Sequence, residues 1–300
     1  MQIYAILGLQ YRIGKRTMTV CVSVKVSEGL VLAADSTAAI EGKIGDGPPG
    51  ILKTYDHMRK LAHVKDYPIG TLTWGTAHVG TRTVDSLIRE FEHGLPSLQE
   101  EGDKCKEQRM RGEEPEPYRY SVRKIAKDLV AQILERYQRE FSDRPQKEQP
   151  GLGLLVSGYS SGQFFPEQWL VEIPLNPQLR SLRPDQNDQP DFGANWFGAT
   201  DAIVRLHWGR DEKALDILSE RFKVPRDEIR KLLEPLQYPV IFAGMPLQDA
   251  IDYAVYLINV VVGRFRFVIG APLCGGDIDV AVITPDNFTW VRRKSWKLDT

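Results

Sequence analysis

The 300-residue chain is poor in cysteine and histidine, and no long apolar run interrupts it. Its three cysteines, Cys21, Cys105 and Cys274, are scattered and form neither a disulfide framework nor a paired metal-ligand spacing. Such sparse usage suits a reducing cytosol, and a cytoplasmic location is expected. His57, His63, His78, His93 and His207 do not cluster, so no catalytic metal is expected. With 39 Lys and Arg against 40 Asp and Glu, the net charge of −1 gives no electrostatic case for nucleic acid or an anionic membrane. No apolar stretch reaches the roughly 18 residues of a membrane helix. Residues 3–9 are apolar but short, and Arg12, Lys15 and Arg16 follow them, the wrong order for a secretory signal.

What is present is 42% apolar residues, enough for a substantial core. Residues 18–36 read as two β-branched strands joined at Ser27-Glu28-Gly29, with Gly29 giving the turn its backbone freedom. Folding that hairpin returns Asp35 to a place beside Thr19. Residues 42–50 are a glycine-rich loop. Strands are expected at 59–64 and 69–74, and a helix at 81–93 that stops at Gly94. Residues 100–117 are charged, carry no apolar period and read as a solvated excursion. Residues 120–141 form a strong amphipathic helix, with Ile125, Leu129, Ile133 and Tyr137 at i, i+4 spacing.

Further strands are expected at 152–159 and 168–173, then an irregular stretch over 174–195. Helical signals follow at 201–208, 213–222, 226–236 and 247–263, with closing strands at 278–284 and 289–291. This order suits two antiparallel sheets packed face to face with helices outside them.

Two segments carry a family resemblance. The hairpin from Met18 to Ser36 resembles the first hairpin of proteasome-type β subunits, the threonine peptidases among N-terminal nucleophile hydrolases. Counted back from Asp35, its register reaches Thr19 without a gap. The run Gly275-Gly276-Asp277-Ile278-Asp279-Val280-Ala281-Val282-Ile283 is similar to the segment that closes the family's second sheet. Between them, Thr73-Trp74-Gly75 and the helical run after it look like the family's strand, oxyanion glycine and first helix. The resemblance implies an α+β fold, the four-layer αββα sandwich, over residues 19–300. It also implies Thr19 as nucleophile, Asp35 helping to hold a lysine beside it, and Gly75 as oxyanion donor.

For the lysine, Lys53 fits the exit of the glycine-rich loop, with Lys60 as the alternative. Thr19 can act only as a first residue, because its α-amine, with a reference pKa of about 7.7–8.0, would then serve as the base. Residues 1–18 are accordingly a propeptide or an upstream extension with Met18 as initiator. The second is favoured, since Met18 stands where a self-processing member carries glycine.

Departures from the pattern are visible too. Ala199 in Gly198-Ala199-Thr200-Asp201 takes the place of a serine, and Ala271 and Cys274 replace an aspartate and a serine. Trp74 is bulky and should narrow the neighbouring pocket. Asp277 and Asp279, on one strand face by alternation, lack a histidine cluster to make them a metal pair.

The expectation is a cofactor-free threonine-type endopeptidase acting on peptide or unfolded protein and self-assembling into a ring or larger homo-oligomer. An ATP-driven unfolding partner is left open. The alternatives are a non-catalytic scaffold of the same fold and an amidase for small amides.

Overall fold

The computed structural model describes residues 19–42, 50–185 and 189–295. The expectations for residues 1–18 and for most of the 42–50 loop lie outside them. The chain runs through β1 (Val20–Val26), β2 (Gly29–Ala34), β3 (Ala38–Gly42), β4 (Gly50–Tyr55), β5 (Leu61–His63) and β6 (Ile69–Gly75). The short β7 (His78–Val79) and β8 (Arg82–Thr83) lead to α1 (Val84–His93), α2 (Leu98–Met110) and α3 (Val122–Phe141). Then come β9 (Leu152–Gly158), β10 (Glu167–Ile173), β11 (Asn176–Ser181) and β12 (Gly193–Gly198). Helices α4 (Asp201–Trp208), α5 (Glu212–Phe222), α6 (Arg226–Leu232) and α7 (Leu247–Phe267) precede β13 (Asp279–Ile283) and β14 (Phe288–Arg292).

Two five-stranded antiparallel sheets form, ordered β12-β1-β2-β13-β14 and β11-β10-β9-β6-β5. Strand alternation assigns their faces. Val20, Val22 and Val24 of β1 pack with Ala254, Leu257 and Val261 of α7, while Cys21 joins Leu32, Leu72, Trp74 and Phe197 between the sheets. On the far side, Val84 and Leu87 of α1 and Leu129 and Ile133 of α3 cover Ile69, Leu154 and Val156. The result is the expected four-layer αββα sandwich. Among the described residues no helix is long and apolar enough to cross a membrane.

Several local expectations are corrected. The segment expected to be a solvated excursion contains α2, which buries none of its side chains and so shows no apolar period. It starts on the Ser97 cap, and Asp66 Oδ2 accepts from Ser97 Oγ (2.8 Å) and the Gln99 amide (3.1 Å). The stretch expected to be irregular holds β11 and β12, whose pairing with β10 and β1 outweighs their proline, glycine and asparagine content. Gly29 is needed less for the turn than for packing, because a Cβ there would lie 2.9 Å from the Ile283 carbonyl oxygen of β13.

Candidate functional site

The β1–β2 register, from Val26 opposite Gly29 to Cys21 opposite Ala34, carries Asp35 back beside the start of β1. The Asp35 amide donates to the Val20 carbonyl (3.2 Å), and Asp35 Oδ1 accepts from the Val20 amide (2.9 Å). Thr19 and Asp35 are therefore brought together, and both are buried. Oδ1 also accepts from Lys60 Nζ at 2.6 Å, while Oδ2 accepts from the amides of Gly275 (3.0 Å) and Thr37 (3.3 Å). Lys60 donates in addition to the Thr37 carbonyl at 2.5 Å. This carboxylate is fully desolvated, and the cost of burying it is offset by four donors, one of them charged.

Lys53 is not brought to this cluster. It is exposed on β4, opposite Ile40 of β3, with its ammonium over the Tyr55 ring. The β3–β4 hairpin extends the chain between Asp35 and the second sheet, so the lysine that meets Asp35 is Lys60, just before β5. The chain there is fixed from both sides, since the Thr73 amide donates to the Lys60 carbonyl (2.8 Å) and the Thr73 carbonyl accepts from Cys21 Sγ (3.4 Å).

Gly75 ends β6 at the same end of the sandwich. Trp74 stacks on Phe197 (centroids 4.3 Å apart), and Phe197 lies opposite Cys21 on β1. Trp74 is thus a core residue, not the wall of a pocket. Gly75 adopts φ +89°, and a Cβ there would lie 2.2 Å from the Gly151 carbonyl oxygen, so only glycine fits.

The closing segment wraps the carboxylate. The Gly275 carbonyl accepts from the amides of Ser36 (2.9 Å) and Thr37 (3.1 Å). Beside it, burial pushes the Cys274 thiol well up, with the Asp35 charge adding to the shift. Burial raises Cys21 as well, against the opposing pull of Lys60. Both shifts favour the neutral thiol over the nucleophilic thiolate. Ala199 is buried, and its amide holds the Thr19 carbonyl at 2.7 Å.

Asp277 and Asp279 do not share a strand face, because β13 starts only at Asp279. Asp277 pairs with Arg292 (3.6 Å), and Asp279 with Lys294 (2.6 Å). Lys294, Ser36 and Thr37 went unread in the sequence. Ser36 and Thr37 carried a signal, as hydroxyl residues directly after a carboxylate that leaves a fully apolar strand. Lys294 carried none.

No family model matches the chain, and no curated protein matches it. Among solved structures, it is similar to an Anbu (Gly-1) mutant from Hyphomicrobium sp. strain MC1. Identity is 16% and the TM-score 0.48, over 94% of this chain and 88% of that one. It is also similar to Anbu (ancestral beta-subunit) from Yersinia bercovieri, at 14% identity and TM-score 0.46, over 91% of this chain and 86% of that one. Likenesses of this strength carry no argument about activity. The expected membership of the proteasome-type β-subunit family is corrected accordingly.

Proposed function

We propose that this chain is a threonine-type hydrolase that cleaves peptide bonds through Thr19 once the bond preceding that residue has been cut. One observation carries the proposal: the buried Asp35 carboxylate, whose Oδ1 joins the Val20 amide to the Lys60 ammonium. That oxygen places a fixed positive charge next to the residue adjoining Thr19, where it favours developing alkoxide. The liberated α-amine of Thr19 takes the hydroxyl proton, and the oxygen attacks the amide carbonyl. The Gly75 N–H stabilises the oxyanion, the amine returns its proton to the leaving nitrogen, and water hydrolyses the resulting ester. Lys60, not Lys53, serves as the site lysine.

The test is labelling with a peptide electrophile that bonds both to an amine and to the neighbouring hydroxyl, followed by mass mapping. An adduct on a chain beginning at Thr19, lost in Thr19→Ala, is the expected result. A native chain that retains any residue before Thr19, or an adduct elsewhere, overturns the proposal. Ala199 and Cys274, where hydroxyls were expected, favour a non-catalytic reading, which predicts no adduct at all. Fluorogenic peptides tested against small amides separate the peptidase from an amidase. Self-association is proposed as well, supported by exposed Ile217, Phe222, Leu232, Leu236 and Ile241 on α5, α6 and the segment that follows. Light scattering that gives a monomer mass would remove it.

A further inference from the structure

A second buried ion pair lies directly behind the first. Lys294, after β14, donates its Nζ to Asp279 Oδ2 (2.6 Å), Ser36 Oγ (2.8 Å) and the Met58 carbonyl (2.7 Å). Its amide donates to Asp279 Oδ1 at 2.8 Å. Both side chains are nearly inaccessible, at 7% and 3% exposure. Asp279 lies opposite Ala34, the residue before Asp35. Ser36 follows Asp35, Met58 precedes Lys60 by two residues, and the Met58 amide donates to the Ser36 carbonyl (2.9 Å). One ammonium thus ties together the segment carrying Asp35 and the segment carrying Lys60.

We propose that Lys294 and Asp279 are a positioning pair that sets the geometry between Asp35 and Lys60. The inference rests on the reading of those two residues as the charge pair of the site. Burying two further charges is costly, and an apolar pair of similar volume would pack more cheaply. An apolar side chain could not, however, bridge a carboxylate, a hydroxyl and a carbonyl on three separate segments. Burial lowers the Lys294 pKa while Asp279 holds it up, with Lys60 and Asp35 also within electrostatic reach. The two pairs therefore sense one another.

The experiment follows the Lys60 resonance in protein with isotope-labelled lysine Cε, alongside the rate of Thr19 labelling. The variants are Lys294→Met/Asp279→Asn, which leaves no charge orphaned, Ser36→Ala and Lys294→Arg. Removing the pair is expected to move the Lys60 resonance and to slow labelling about tenfold with unchanged affinity for the electrophile, as misplacement of a reacting group does. Lys294→Arg should recover part of that rate. A folded double variant with the Lys60 resonance and labelling rate unchanged overturns the proposal. Should the double variant not fold, Ser36→Ala decides, and an unmoved Lys60 resonance there is equally fatal. Wild-type protein that does not label at Thr19 defeats the hydrolase reading, while the Lys60 resonance still reports on the positioning pair.

Discussion

Two buried lysines meet carboxylates at opposite ends of β1. At one end Lys60 meets Asp35, with exposures of 5% and 0%; at the other Lys25 meets Asp185, with exposures of 1% and 37%. The two ion pairs have the same 2.6 Å separation. Their surroundings differ. Asp35 is pinned by three backbone amides as well as by the lysine, so neither partner has freedom to relax. Asp185 sits on the segment after β11 and is itself partly exposed, so at that end only the lysine is taken fully out of water.

The layer around Lys25 is also loosely satisfied. Asn195 reaches Gln168 and Ser23 only at 3.4 and 3.5 Å, and Gln168 Nε2 and Ser157 Oγ have no partner among the described residues. At the Lys60 end, stacked Trp74 and Phe197 and a complete set of donors leave no slack. Bond length does not separate the two pairs; desolvation of the carboxylate and the number of its fixed partners do.

The substitution that breaks this contrast most strongly is Asp35→Asn. It leaves the Lys60 ammonium buried without its counter-charge, which costs about 3–5 kcal/mol. Urea unfolding should show that loss, and Thr19 labelling should fall about a hundredfold or more. Lys25→Met is expected to cost no more than about 1–2 kcal/mol, because Asp185 can turn to water, and to leave labelling unchanged. Equal losses in the two variants would mean that both ends are structural and that the comparison teaches nothing about chemistry.

Acid sharpens the measurement. Burial lowers the pKa of His63, against the opposing Tyr67 carbonyl (2.7 Å from Nε2) and Asp66, with Arg293 adding to the fall. Burial likewise lowers His207, whose Nε2 lies 3.0 Å from the Tyr253 hydroxyl. The unfolded chain takes up protons at these residues near pH 6.5, the folded chain only at lower pH. Their contribution is therefore complete above about pH 6.5 and is lost as pH falls towards the folded values. The urea midpoint should drop between about pH 7 and pH 5, and His207→Gln should flatten that drop. An identical pH slope in that variant would remove His207 from the account.

Legibility followed the range of the physics. The Thr19–Asp35 approach could be read because a short turn and a period of two fix a hairpin register locally, α3 was legible by its apolar spacing, and α1 by the glycine that stops it. Helix α2 could not be read that way, since it buries nothing, and β12 is a strand mainly because β1 lies beside it. Long-range assembly hid the rest. The choice between Lys53 and Lys60 turns on how far the β3–β4 hairpin reaches before the chain re-enters the core. Lys294 reaches the site from more than two hundred residues beyond Asp35, and no local spacing encodes that approach.

The smallest expected effect is at Lys53. Its ammonium lies 5.9 Å from the centre of the Tyr55 ring, on an exposed hairpin where such a contact contributes little. Lys53→Ala should change stability by less than about 0.5 kcal/mol and leave the rate of Thr19 labelling as it was. Lys60→Ala, which orphans the fully buried Asp35, should lower both sharply. The two lysines are seven positions apart and each carries the same single positive charge, so measuring the variants together isolates burial and partnership as the cause. If labelling vanished in Lys53→Ala and survived in Lys60→Ala, the Asp35–Lys60 pair would be core structure, and the chemistry would belong to the rim of the hairpin.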